Sequence, residues 1–264
     1  MTETIALNSV LFGEDFLGAS PPIIILHGLF GSARNWQTMA QKLAQERSVF
    51  ALDLRNHGDS PHTSSMSYPE MAADVIQFLD AHQIDSANLI GHSMGGKTAM
   101  DLALDWPDRI ATLIIVDIAP IVYQHNYDEL LANLHDLDLT AIKRRADANR
   151  LLGQVLDDDE LRLFLLQNLI VKPGEPTRWR INLEAIERNV NHLVQYTPEG
   201  NNKQFSGPAH LIRGGLSDYV SEDYYPALTR LFPNLEIHVI DEAGHWPHAQ
   251  KPQDFLETTQ KILR

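Results

Sequence analysis

The sequence predicts an α/β protein, a largely parallel sheet flanked by helices and interrupted by one helical insert. Three observations carry this. Short, uninterrupted apolar runs, typical of strands buried on both faces, alternate with helical patterns over the first 118 residues and again from about residue 206. Residues 119–205 between them hold helical patches and no strand signal. One apolar run leads through Gly91-His92-Ser93-Met94-Gly95-Gly96-Lys97 into an Ala- and Leu-rich segment, which reads as strand, sharp turn and helix.

In chain order, Ile5 to Phe12 half-alternates and meets Gly13-Glu14-Asp15, a hairpin turn into a second edge strand. Pro21-Pro22 precede the continuous run Ile23 to Leu26, and a helix over about Trp36 to Ala44 leads to a strand at Val49 to Leu52. Ser67-Tyr68-Pro69-Glu70 opens the next helix, with Ser67 as cap, Pro69 in the first turn and Glu70 closing a capping box. That helix runs to about His82, with Met71, Val75, Phe78 and Leu79 on one face. The strand Ala87 to Ile90, the serine turn and a helix to Leu104 follow; Pro107 breaks the helix before the buried strand Leu113 to Asp117.

The insert reads as four amphipathic helices, Asp128 to Leu137, Ala141 to Leu152, Glu160 to Leu169 and Asn182 to Val194, with a break at Lys172-Pro173-Gly174-Glu175-Pro176. The β/α rhythm then resumes with a strand Ala209 to Arg213, a helix Tyr224 to Phe232, a strand Leu235 to Ile240 and a terminal helix Asp254 to Leu263. Strands spaced by helices imply right-handed crossovers and a parallel sheet. An insert that leaves the sheet edge where ligands bind is expected to act as a lid. The organisation is thus a core of residues 1–118 and 206–264 with a helical cap at 119–205.

Length and composition set bounds on function. The 264 residues, 44% apolar and 21% charged, suffice for one large domain with a buried core. A formal net charge of -14 argues against nucleic acid as a partner. The absence of cysteine excludes disulfides, thiolate metal sites and a cysteine nucleophile. Met1-Thr-Glu-Thr-Ile-Ala-Leu-Asn has no basic segment followed by an apolar one, and no apolar stretch is long enough for a membrane helix. A soluble cytoplasmic protein without membrane partners, monomeric or homodimeric, is expected.

The serine turn points to nucleophilic catalysis. A serine at such an apex is backbone-strained, tolerable only with neighbours that lack Cβ atoms, and its Oγ stands exposed at the sheet end before a helix N-terminus. Its hydroxyl needs a base and a group to orient that base. Gly244-His245-Trp246 follows the last strand, where the base is expected in the chain order serine, acid, histidine. Two aspartates compete for the third role: Asp117 at the end of its strand, and Asp218 in the loop after the next one, the position that chain order favours. An oxyanion needs two N–H donors. These are assigned to the amides of Met94 and of Leu29, in the loop His27-Gly28-Leu29-Phe30-Gly31-Ser32. Asp53, with Arg55 and His57, reads as a loop anchor.

With these residues in place, the chain resembles the α/β-hydrolase superfamily. The resemblance rests on His27-Gly28-Leu29-Phe30-Gly31-Ser32, Asp53-Leu54-Arg55-Asn56-His57-Gly58-Asp59-Ser60-Pro61, Gly91-His92-Ser93-Met94-Gly95-Gly96-Lys97, Asp117-Ile118-Ala119-Pro120 and Gly244-His245-Trp246. Within the superfamily it is similar to bacterial esterases of the YbfF type, over essentially the whole chain. The resemblance implies a mostly parallel eight-stranded sheet with an inserted helical lid. It also implies hydrolysis of carboxylic esters or acyl-CoA thioesters of short to medium acyl chains through an acyl-enzyme, with no metal or cofactor. It moves the acid role to Asp117, because relatives often lack an acid at the position of Asp218, and it makes Ser217 an auxiliary partner. Phe30, Tyr123, Trp179 and Met94 read either as the lining of the acyl pocket or as packing of the lid against the sheet. Lys143, Arg144, Arg145, Arg178 and Arg180 read either as contacts to a CoA phosphate or as a solvated helix face. Three other functions fit the same motifs: C–C bond hydrolysis, a menaquinone-pathway lyase reaction, and a low-turnover ligand-binding or receptor role.

Overall fold

A computed structural model describes residues 3–16, 18–198 and 203–264. The main sheet has seven strands: β1 (Ser9–Phe12), β2 (Ile23–Leu26), β3 (Val49–Leu52), β4 (Ala87–His92), β5 (Ile110–Val116), β8 (Ala209–Gly214) and β9 (Leu235–Ile240), in the order β1-β3-β2-β4-β5-β8-β9. Every pairing is parallel except that of β1 with β3. The resemblance implied eight strands, and the expected second edge strand after Gly13 is the one that does not form. Glu14–Phe16 is instead a turn of 3-10 helix, closed by the Phe16 amide on the Gly13 carbonyl. The segment then runs into Pro21 and Pro22, which have no N–H to give a ladder.

Helices α1 (Gln37–Leu43), α2 (Tyr68–Ala81), α3 (Met94–Asp105), α8 (Tyr225–Leu231), α9 (Pro247–Gln250) and α10 (Pro252–Ile262) flank the sheet. Because successive side chains of a strand face opposite ways, each apolar run feeds two cores. Ile24, Leu26, Phe50, Leu52, Leu113 and Ile115 pack with α2, α3 and α8. Ile23, Ile25, Val49, Ala51, Ile114 and Ile212 pack with α1 and α10. The capping box of α2 is present: Ser67 accepts from the Glu70 amide, and Glu70 accepts from the Ser67 amide at 2.9 Å.

Between β5 and β8 lie α4 (Asp128–His135), α5 (Arg145–Leu152), α6 (Asp159–Leu166) and α7 (Leu183–Gln195). The segment is not purely helical. β6 (Leu169–Ile170) and β7 (Arg178–Trp179) form an antiparallel hairpin around the Lys172 to Pro176 break. Buried Leu131, Leu134, Leu152, Leu165, Ile186 and Val190 join the insert to the α2–α3 side of the core. Among the described residues, no helix is long and apolar enough to cross a membrane.

Candidate active site

The parallel strands deliver their following loops to one edge of the sheet, and the chemistry-bearing residues gather there. Ser93 follows β4 directly, with φ 52° and ψ −117°, a region that costs a residue with a side chain about 1–3 kcal/mol. Close packing on both sides over-determines it. A Cβ on Gly91 would collide with the Gly95 carbonyl, and one on Gly95 would lie 2.6 Å from the His27 carbonyl oxygen. The turn is pinned by the Ser93 amide on the Val116 carbonyl (3.0 Å) and the Lys97 amide on the Ser93 carbonyl (3.0 Å).

His245 lies in the loop after β9. Its Nδ1 donates to Asp117 Oδ2 at 2.8 Å, and its ring lines a cavity together with Ser93. Asp117 follows β5, is fully buried and has φ 50°. Its carboxylate also accepts from the Gly214 amide (2.9 Å) and from the Ser217 hydroxyl. Asp218 is exposed and makes no hydrogen bond to His245. Of the two candidate acids, the structure therefore joins Asp117 to the histidine, with Ser217 on the same carboxylate.

Other neighbours fix the imidazole further. The Tyr219 ring stacks on it with centroids 3.6 Å apart and an interplanar angle of 16°. Tyr219 is held in turn by its amide on Ser217 Oγ (3.2 Å) and by its carbonyl accepting from Tyr123 Oη (2.7 Å). Buried His92 donates from Nε2 to the His245 carbonyl at 2.7 Å, and burial holds its pKa well below the usual histidine value.

The loop after β2 is equally constrained. Phe30, at φ 61°, spends its amide on His57 Nε2 (3.1 Å), and its carbonyl accepts from Asn168 Nδ2 of the insert (2.6 Å). His57 is fully buried, and desolvation lowers its pKa to about 3, so it accepts as a neutral ring. The Gly31 amide bonds the Gly28 carbonyl (2.9 Å). With these groups engaged, the amides of Leu29 and Met94 have no hydrogen-bond partner among the described residues. Asp53 anchors loops, accepting from the amides of Ala33 (2.7 Å) and Asp59 (2.9 Å) and from Asn8 Nδ2 (2.8 Å).

Two cavities meet at Ser93. The outer one, about 240 Å³, is lined by Phe30, Leu130, Leu161, Phe164, His245 and Trp246 among others. The inner one, about 40 Å³, runs past Met94, Ile118 and Tyr123 to Tyr68 and Lys97. Lys97 is buried, and its Nζ donates to the carbonyls of Ile121 (2.8 Å) and Tyr196 (2.7 Å). Burial without a counter-charge brings its pKa down to about 7. Trp179 lines neither cavity; it sits in the β6–β7 hairpin opposite Leu169, packed against the core. Nor do Lys143, Arg144, Arg145, Arg178 or Arg180 reach either cavity. Arg145 instead donates to the carbonyls of Leu166 and Leu169, and Arg180 pairs with Asp59. Tyr219 and Asn168 were not singled out from sequence, and His57 was read only as part of the Asp53 loop anchor, not as the partner of the Phe30 amide. Each acts through a contact far along the chain, and none carries a local signal.

Comparison with known proteins follows the same lines. The profile of the alpha/beta hydrolase fold family matches residues 21–252. An sn-1-specific diacylglycerol lipase ABHD11 of Xenopus laevis is 42% identical over 263 residues, covering 97% of this chain and 83% of that protein. Esterase YbfF of Escherichia coli K12 is 39% identical over 243 residues, with 92% of each chain covered. Among solved structures, a marine microorganism esterase superposes with a TM-score of 0.92 at 37% identity, covering 98% of this chain and all of the other.

Proposed function

From the premise that this chain belongs to the alpha/beta hydrolase family, we propose that it is a serine hydrolase of carboxylic esters. The observation that carries the proposal is the buried Asp117 carboxylate holding His245 Nδ1 at 2.8 Å, in a loop that shares one cavity with strained Ser93. The names of the esterase and lipase relatives support it.

In the proposed reaction Ser93 Oγ attacks the acyl carbonyl carbon as His245 Nε2 takes its proton. The Leu29 and Met94 amides bind the oxyanion that forms, and a preorganised donor of this kind is worth about 10²–10³ in rate. Collapse expels the alkoxide, which takes the proton from His245 and leaves Ser93 acylated. Water, deprotonated by His245, then attacks the acyl carbon; collapse breaks the bond to Ser93 Oγ, which takes the proton back from His245, and the acid is released. Asp117 stabilises the imidazolium in both steps.

The small inner cavity supports a short acyl chain, with the wider outer cavity taking the leaving group. A thioester could undergo the same attack. Because the cationic residues of the insert do not line either cavity, they give no support to coenzyme A recognition, and an oxygen ester is the favoured substrate. We read residues 119–205 as the cap that closes over the two cavities, since Tyr123, Tyr127, Leu161 and Phe164 supply much of their lining.

The test is hydrolysis of p-nitrophenyl esters of increasing chain length. Wild type should turn over the butyrate and lose rate on long chains, and Ser93→Ala should lower kcat by about 10³-fold or more. Wild-type turnover by Ser93→Ala would overturn the mechanism. Stoichiometric labelling by a fluorophosphonate with no ester turnover would favour a binding role.

A further inference from the structure

The face of the sheet covered by α1 and α10 carries, on its outermost strand pair, a cluster of potential ligands that the proposed reaction does not use. β8 and β9 pair in parallel with His210 opposite Glu236 and Ile212 opposite His238. The period of two along a strand puts all four side chains on one face. His210 Nδ1 lies 3.2 Å from His238 Nε2 and 3.8 Å from Glu236 Oε2, and the three ligand atoms all fall within 4.8 Å of one another.

We propose that His210, His238 and Glu236 bind one zinc-type divalent cation at the β9 edge, with water completing the coordination. The spacing is the argument. Ligand atoms about 2.0–2.1 Å from a tetrahedral zinc ion stand about 3.3 Å apart, close to the separation the two imidazole nitrogens already have. Glu236, with 71% of its side chain exposed, is free to swing its oxygen inward and close the remaining gap of about 0.5–1.5 Å. Half-burial lowers the pKa of both histidines, so each presents a neutral ring, the form that ligates. Two imidazoles and a carboxylate form a borderline donor set that suits zinc and its neighbours in the first transition row over calcium or magnesium.

The position assigns the ion a structural role. His210 lies four residues before Gly214, whose amide bonds Asp117, so the cluster sits about 13 Å down the strand from the candidate triad. The ion would clip edge strand β9 to β8 and take no part in ester chemistry.

The test uses the full chain, dialysed against a chelator and titrated with zinc chloride in a calorimeter near neutral pH. Cobalt is substituted in parallel to read tetrahedral coordination from its visible absorption. Wild type should bind one equivalent, raise its Tm on binding and give intense cobalt bands. His210→Ala and His238→Ala should each weaken binding by about 100-fold or more, and Glu236→Gln by about tenfold, since even outer partners of metal sites are worth about 10–100-fold. Esterase activity should be unchanged in all three. The proposal is overturned if wild type takes up no zinc, if the double histidine variant binds as wild type does, or if Glu236→Gln leaves affinity unaltered.

Discussion

Asp117 and Asp218 show what a single position can and cannot reveal. Both follow a strand that ends at the site, and chain order alone favours Asp218. What separates them is three-dimensional. Asp117 is buried among three donors, whereas Asp218 is exposed. Asp117→Asn should therefore cost about 10⁴ in kcat, through loss of the tautomer and of imidazolium stabilisation, while Asp218→Asn should stay within a few-fold. Steady-state kinetics on one ester decide this, and the reverse pattern would reassign the acid. Ser93 and His245 were legible because glycine spacing and strand ends mark them. Tyr219 was not, because ring stacking leaves no periodic trace. Lys97 belongs to the same scale. Its native pKa of about 7 lies below that of the unfolded lysine, so between about pH 7 and 10.5 the unfolded chain binds more protons. Stability therefore rises with pH across that window, and the cost of burying the charge is present in full below it. Relative to wild type, Lys97→Met should lose ground as pH rises from 7 towards 10 in urea titrations. A pH-independent difference would mean that Lys97 does not titrate there.

At the scale of elements, what the sequence made readable is what local energetics decide. β2, β3 and β4 stand where their apolar runs lie, because strands buried on both faces have no other place to put those side chains. The Ser67–Glu70 box starts α2 where the pattern predicts it, and Ser67→Ala should cost about 1 kcal/mol in chemical denaturation. The misreadings fall where the local signal is short or overridden. The β6–β7 hairpin has two residues per strand, too few for a period to show. The second N-terminal strand failed against two prolines. The serine turn lies between these cases, since its glycines are local but the reason for them is not. They keep the turn clear of the Gly95 and His27 carbonyls.

At the scale of the whole molecule, the site is assembled by the seating of the insert on the core, and this was illegible in one dimension. The Asn182 amide and Nδ2 bond the Asn56 carbonyl (2.9 Å) and side chain (3.0 Å), and Asn168 reaches across 138 positions to the Phe30 carbonyl. The last of these matters for chemistry, because Phe30 neighbours Leu29, whose amide is assigned to the oxyanion. Phe30 is held between two partners, His57 on its amide and Asn168 on its carbonyl, at a positive φ that neither alone explains. Asn168→Ala leaves the buried carbonyl unpaired, at a cost of about 1–3 kcal/mol, and lets the loop relax. The expected outcome is a fall in kcat of about tenfold with little change in KM, since misplacing an oxyanion donor weakens the transition state more than the bound ester. Asn168→Asp, which keeps the size but lacks the donor, should fall as far. If Asn168→Asp keeps wild-type kcat while Asn168→Ala loses it, the contact is packing alone and the insert does not position the loop. A rise in KM at constant kcat in both would place Asn168 in substrate binding.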